Sequence, residues 1–185
     1  MTATTSHAAQ ERRGDHVRHP VRTPGLLLGL GMGGFVDGIV LHQILQWHQM
    51  LSETDEYGGR NVEDLEINVM ADGFFHAATW VLVALGLATL WRVARTGIIR
   101  RTWRSPLGWM LVGWGVFNLV EGIVDHHILQ IHRVRPDAAD PLAWDLGFLA
   151  LGVLLVAGGW ALQRHDQRRA DPPVGGRGAV SRGER

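Results

Sequence analysis

The sequence predicts an all-α fold, an integral membrane four-helix bundle built from a duplicated two-helix hairpin. Three observations predict it: four long apolar segments, a high content of Trp and Gly, and a repeat that relates the two halves of the chain. The 185 residues include 8 Trp and 24 Gly, and both residue types are enriched in membrane helices. The formal net charge is zero and Cys is absent. Nothing therefore indicates nucleic acid as a partner, and disulfides and thiolate metal sites are excluded.

Each apolar segment is long enough to cross roughly 30 Å of hydrocarbon, which takes about 20 residues. The predicted helices cover 25–50, 69–91, 107–131 and 142–162. The second and fourth contain TWVLVALGLATLW and LGFLALGVLLVAGGWAL. These stretches are apolar on all sides, which favours contact with lipid over burial in a soluble helical core.

The loops predict how the chain is oriented in the membrane. The segment RVARTGIIRRTWR and both tails are rich in Arg, whereas SETDEYGGRNVEDLE has six acids and one Arg. Positive loops stay in the cytoplasm, so both termini are predicted to be cytoplasmic in a multi-pass protein of the cell (inner/plasma) membrane. The membrane domain is predicted over 25–163, with halves at about 25–92 and 107–163. The tails, 1–24 and 164–185, have the composition of disordered chain.

A repeat with an offset of 84 residues relates the first and third segments. FVDGIVLHQILQWHQM aligns with LVEGIVDHHILQIHRV, and 12 of the 24 positions from Leu27 to Met50 are identical. The alignment pairs Asp37 with Glu121, His42 with His126 and His48 with His132. Both copies enter the membrane from the same side, so the halves should be related by a pseudo-two-fold axis along the membrane normal.

The ionisable residues of the segments are predicted to form one layer in the outer half of the bilayer. At about 1.5 Å per residue, Asp37 lies roughly 20 Å from the cytoplasmic end of its helix. Asp72 and Asp145 begin segments that descend from the outside, so they lie within about 5 to 15 Å of the outer surface. A charged side chain in hydrocarbon costs several kcal/mol and needs a partner.

A transition-metal site is the first hypothesis for this layer, because carboxylates and imidazoles bind Zn, Fe, Cu or Mn and form metal sites inside helical bundles. The predicted ligands are Asp37, His42, Asp72, His76, Glu121 and His126. The residues predicted to support or replace them are His48, Asn118, Asp125, His127, His132 and Asp145. The sequence names neither the metal nor a reaction, and it leaves open whether the protein is an enzyme.

Two geometries are open for His42 and His126. Each follows its acid by five residues, which places it about 140° away on a straight α-helix. Either the two imidazoles point at a neighbouring helix, or π-bulges near Gly38 and Gly122 wind them back to the side of their acids.

Other functions are compatible with the same residues. His42 could hold a haem iron together with His126 or His76, and acids and His in series could relay protons or ions. The layer could also be a buried polar network without a ligand. The expected partner is the lipid bilayer, and association with another membrane protein or with a second copy is left open. Five glycines are interpreted as positions of close helix contact: Gly29, Gly31, Gly34, Gly113 and Gly115.

The polar motifs resemble those of one family. DGIVLHQILQWH, DGFFH, GWGVFNLVEGIVDHHILQIH and WDLGFLALG are similar to motifs of domain-of-unknown-function family 2243, a bacterial family of predicted membrane proteins. The likeness covers about 25–163. It implies a small inner-membrane protein with four spans and carries no activity with it.

Overall fold

A computed structural model describes residues 20–58, 61–96 and 103–170, with side chains described as far as 165. Over these residues the fold is all helical, and four helices are long and apolar enough to cross a membrane, which confirms the predicted all-α class with four candidate spans. The predicted tails fall mainly outside the described residues. The helices are α1 (Arg22–Val36), α2 (Val62–Ala94), α3 (Arg104–Glu121) and α4 (Pro141–Ala170). Helix α1 continues directly into the π-helix π1 (Asp37–Ile44), and α3 into π2 (Gly122–Ile128).

Two of the helices end earlier than the apolar pattern predicts. The first was expected to reach residue 50 and the third residue 131, but they end at Ile44 and Ile128. Gln46 and Gln130 have φ angles of 51° and 52°, a left-handed conformation with which a right-handed helix cannot continue. Trp47, Met50 and Leu51 follow the turn at Gln46 and are half-buried, so hydropathy alone does not show where the helix ends.

Helix α2 begins earlier than predicted, at Val62 instead of 69, because Asn61 caps it. The backbone of Asn61 is extended, and its side-chain oxygen accepts a hydrogen bond from the Asp64 amide at 3.0 Å. Glu63 in the first turn also suits the positive end of the helix dipole.

Asn61→Ala is expected to lower the stability by about 1 kcal/mol, the usual cost of losing an N-cap. Thermal unfolding in detergent measures the effect as a lower melting temperature. Asn61→Asp keeps a capping oxygen and serves as the control, with little expected change. A melting temperature for Asn61→Ala equal to that of the wild type would contradict this assignment of the cap.

Helices α1 and α3 form the centre of the fold, while α2 packs on α1 and α4 packs on α3. The central pair is close because a Cβ atom at Gly29 would clash with the Met110 carbonyl, and one at Gly113 with the Leu26 carbonyl. The remaining predicted contact glycines, Gly31, Gly34 and Gly115, are equally tight against α2 or α4. Their interpretation as positions of close helix contact is therefore confirmed.

The outer helices are polar on the inside and apolar on the outside. The buried residues of α2 are Asp64, Asn68, Asp72, Thr79 and Gly86. In contrast, Phe74 and Trp80 of the same helix are 71% and 63% exposed. Large aromatic side chains directed outward match a lipid environment, whereas a soluble helix would bury them.

The loops after π1 and π2 interlock over one end of the bundle. The Glu53 amide donates a hydrogen bond to the Ile131 carbonyl at 3.0 Å. Arg135 lies over both Trp47 and Trp144, 5.1 and 5.3 Å from the ring centroids. The polar ends of the helices are thus enclosed by chain from both halves.

Candidate metal centre

The π-helices bring each acid and its following histidine to the same side of the helix, which decides between the two geometries left open by the sequence. His42 Nε2 lies 3.1 Å from Asp37 Oδ2, and His126 Nε2 lies 4.0 Å from Glu121 Oε1. A π-helix places residues i and i+5 together, and such segments often occur at functional sites.

Four imidazoles form a continuous layer at the end of α1 and α3. This histidine layer consists of His42, His48, His126 and His132, each at most 3% exposed. The ring centroids of His42 and His48 are 4.5 Å apart, and those of His126 and His132 are 5.0 Å apart. In the middle, His48 and His132 stack with centroids 4.7 Å apart and planes that differ by 4°.

The two central histidines are oriented by the loop of the opposite half. His48 donates from Nδ1 to the Val134 carbonyl at 2.8 Å, and His132 donates from Nδ1 to the Met50 carbonyl at 3.1 Å. These bonds place the proton on Nδ1 and leave the lone pair on Nε2 available to bind a metal.

Burial keeps both central rings neutral. It lowers the pKa of His48 to about 4, with a further contribution from the neighbouring His132. Burial also lowers the pKa of His132. At neutral pH both imidazoles are therefore uncharged, the form required of a metal ligand.

One ligand atom from each of four buried residues lies within 4.8 Å of the others: His42, His48, Glu121 and His132. Glu121 Oε1 is 3.5 Å from His132 Nε2. Ligand atoms bound at about 2.1 Å lie at most about 4.2 Å apart across the metal. A small inward movement of the side chains would therefore close this four-ligand set around an ion.

Many polar atoms of the layer have no hydrogen bond. Among the described residues, these buried atoms include Asp37 Oδ2, Nε2 of His42, His48 and His132, both carboxylate oxygens of Glu121 and both ring nitrogens of His126. The close approach of Asp37 to His42 does not have hydrogen-bond geometry. An unsatisfied buried polar group costs about 1 to 3 kcal/mol. A bound cation would satisfy several of these atoms at once, so the donor set fits a metal ion.

Asp72 supports the layer from behind. Its Oδ1 accepts a hydrogen bond from the Met50 amide and lies beside His42 Nδ1, both at 2.9 Å. Its Oδ2 accepts from Gln43 Nε2 at 2.9 Å. Both oxygens are thus engaged by His42, Gln43 and the loop that contains Met50.

Asp145 occupies the corresponding place beside His126. Its Oδ1 accepts a hydrogen bond from the Val134 amide at 3.0 Å and lies 3.7 Å from His126 Nδ1. Arg133 approaches its Oδ2 at 3.4 Å. The two acids therefore hold equivalent loop positions, since Met50 and Val134 are aligned in the repeat.

The predicted ligands lie at different positions relative to the four-ligand set. His42 and Glu121 belong to the four-ligand set, with Asp37 and His126 directly beside it. His76 lies apart, because its Nδ1 donates to the Asp72 carbonyl at 2.7 Å and its Nε2 packs against Gly38.

The residues predicted to support or replace the ligands also lie at different positions relative to the four-ligand set. His48 and His132 belong to the four-ligand set, although their positions also suit ordinary helix ends. The sequence feature that distinguishes these two histidines from ordinary histidines at helix ends is that they occupy aligned positions in the repeat. Asn118 is buried and lines a cavity next to the layer. Asp125 is half-buried, and the exposed His127 donates from Nδ1 to the Gly122 carbonyl of its own π-helix at 2.6 Å.

Comparison with known proteins identifies one related family. A family model described as "Predicted membrane protein (DUF2243)" matches residues 24–166. The match includes all four predicted spans and both loops around the histidine layer. No curated protein and no solved structure matches the chain.

Proposed function

Because the chain belongs to the DUF2243 family of predicted membrane proteins, we propose that it is a multi-pass membrane protein that binds a transition-metal ion. The proposed ligands are His42, His48, Glu121 and His132. The observation that carries the proposal is their convergence, fully buried, with ligand atoms that have no hydrogen-bond partner. We further propose that both termini are cytoplasmic in the cell (inner/plasma) membrane, which places the histidine layer at the outer end of the bundle.

The ligand types favour particular metals. Three imidazole nitrogens and one carboxylate oxygen suit Zn, Fe and Cu, and accommodate Mn less well. Asp37 and His126 are the counterparts of Glu121 and His42 in the repeat, and they have free ligand atoms of their own. The layer therefore has the capacity for one or two ions.

Three other functions explain less of the geometry. A purely structural network would pair all of its buried polar atoms, whereas several atoms of this layer have no hydrogen bond. A relay across the bilayer needs ionisable groups along its whole length, whereas the buried ionisable residues of the described chain all lie at the end that carries the histidine layer. A haem would need a slot between its axial ligands, but neighbouring imidazoles of the layer are in ring contact.

Metal analysis of the protein purified in mild detergent tests the proposal. The wild-type protein, as purified or after loading with Zn, Cu, Fe or Mn, is expected to hold about one or two equivalents of one metal. Glu121→Gln removes the ligand charge at nearly constant shape and is expected to weaken binding at least about tenfold.

The control is His127→Gln. His127 is exposed, and glutamine is the residue at the aligned position 43. It should bind metal as the wild type does. If the wild-type protein holds no metal after loading with each of the four ions, the proposal is wrong.

A further inference from the structure

A cavity of about 340 Å³ lies between α1, α3 and α4, beside the histidine layer. Its walls include the aromatic side chains of Trp47, Trp114, Trp144 and Phe148, and we refer to it as the aromatic cavity. Its volume lies within the range of about 300 to 1,000 Å³ that is typical of small-molecule sites.

The aromatic cavity departs from the near-symmetry of the two halves. Gly33 lines it, and the residue aligned with Gly33 in the repeat is Phe117. Phe117 packs against Phe75 of α2, with ring centroids 6.1 Å apart. An aromatic ring therefore fills the corresponding position beside α2, whereas Gly33 packs closely against Trp114 and Phe117 of α3 and adds no side chain to the cavity beside α4. The cavity does not follow from the repeated architecture alone.

Two buried polar groups face this otherwise apolar space. Asn118 is 2% exposed and lines the cavity, and no hydrogen bond joins its side chain to any residue that the structure describes. Asp37, 3% exposed, also lines the cavity, but its Oδ2 lies 3.1 Å from His42 Nε2 in the histidine layer. The buried Asn118 amide, without a partner, requires an explanation, and a ligand with a hydrogen-bond acceptor provides one.

We propose that the aromatic cavity binds a lipid-soluble quinone. The flat ring of a quinone can pack against the tryptophan and phenylalanine rings, in the offset or edge-to-face arrangements that aromatic groups prefer. The Asn118 amide donates a hydrogen bond to a ring carbonyl, and the apolar tail of the quinone extends past α4 into lipid. A phospholipid acyl chain would fill the same volume, but it has neither a ring for these walls nor an acceptor for Asn118.

The lining of the cavity provides a clean test substitution. Gly147 lines it, and a Cβ atom added there would meet no atom within 4 Å. Gly147→Phe should therefore occupy the cavity without disturbing the helices. Gly158, also on α4, is surrounded by equally open space and does not line the cavity. Gly158→Phe is the matched control.

The protein is reconstituted in phosphatidylcholine nanodiscs, stripped of metal with a chelator, and titrated with decylubiquinone while tryptophan fluorescence is followed. We expect saturable quenching that is at least about tenfold weaker in Gly147→Phe and in Asn118→Leu, and unchanged in Gly158→Phe. Because no metal is present, the result does not depend on the metal proposal, and the melting temperature of each variant shows that it is folded.

Quenching that is equal in all four proteins, or that rises without saturation, would mean that the quinone only partitions into lipid, and would overturn the proposal. Native mass spectrometry tests the rival occupant. A phospholipid retained by the wild type, lost in Gly147→Phe and not displaced by decylubiquinone would also overturn it.

Discussion

Replacing both His48 and His132 by Ala is expected to weaken metal binding by about 10,000-fold, a larger effect than we expect from any other substitution. A structural four-ligand zinc site binds with about 10 to 16 kcal/mol, so each ligand contributes roughly 3 kcal/mol, or about 100-fold. The two rings lie at the centre of the histidine layer, 4.7 Å apart.

Competition with a chromophoric chelator measures the affinity, first for each single variant and then for the pair. The Ala variants also lose the bonds to the Val134 and Met50 carbonyls, so a second pair is needed to separate binding from folding. His48→Asn with His132→Asn keeps an N–H donor near the position of Nδ1 and removes Nε2. This pair should retain the melting temperature of the metal-free protein and still fail to bind. Wild-type affinity in the Asn pair would show that these residues are not ligands.

Asp72→Ala is expected to destabilise the protein by about 3 to 5 kcal/mol, through several buried donors that lose their acceptor at once. The Asp72 side chain is 1% exposed and accepts hydrogen bonds from the Met50 amide and the Gln43 side chain, each at 2.9 Å. It also fixes His42 through Nδ1. Loss of such a supporting residue typically weakens metal binding by about 10- to 100-fold, and we expect a loss of that size as well.

Equilibrium unfolding in mixed micelles measures the loss of stability, and Asp145→Ala gives an internal comparison. Its effect should be smaller, because two of the groups around Asp145, Arg133 and His126, lie at the longer distances of 3.4 and 3.7 Å. Asp125→Leu introduces the residue found at the aligned position 41 and should have little effect. If Asp72→Ala were no more destabilising than Asp125→Leu, the supporting role assigned to Asp72 would be wrong.

The spans and the family could be predicted from the sequence because both depend on local composition and motif. Apolar stretches of this length are typical of membrane helices, so they predict the spans. Acid and histidine motifs are unusual within such helices, so they identify the family. The ends of the helices are harder to predict from the sequence. Whether residues 45–50 continue a helix depends on the left-handed turn at Gln46 and on a loop that packs over the other half, and hydropathy reports neither.

The site could be predicted as a cluster but not as a ligand set. The repeat identifies which acids and histidines correspond, yet the face of His42 depends on whether the helix widens after Asp37, which a fixed 100° step cannot represent. Whether Asp72 or His48 is the better candidate ligand depends on their hydrogen bonds. Both carboxylate oxygens of Asp72 accept hydrogen bonds, whereas Nε2 of His48 has none. Those bonds are tertiary, and they form only once the loops have folded.

The exchange of histidine bonds between the two loops has a consequence for biosynthesis. When the first hairpin leaves the ribosome, His48 and the Met50 carbonyl have no partners, because Val134 and His132 follow them in the chain by 86 and 82 residues. An inserted first hairpin therefore presents unsatisfied polar atoms until the second hairpin docks. A truncated chain would keep them exposed to lipid, a defect that membrane proteases and chaperones are suited to detect. Completion of this end of the bundle therefore waits for the synthesis and insertion of the second hairpin.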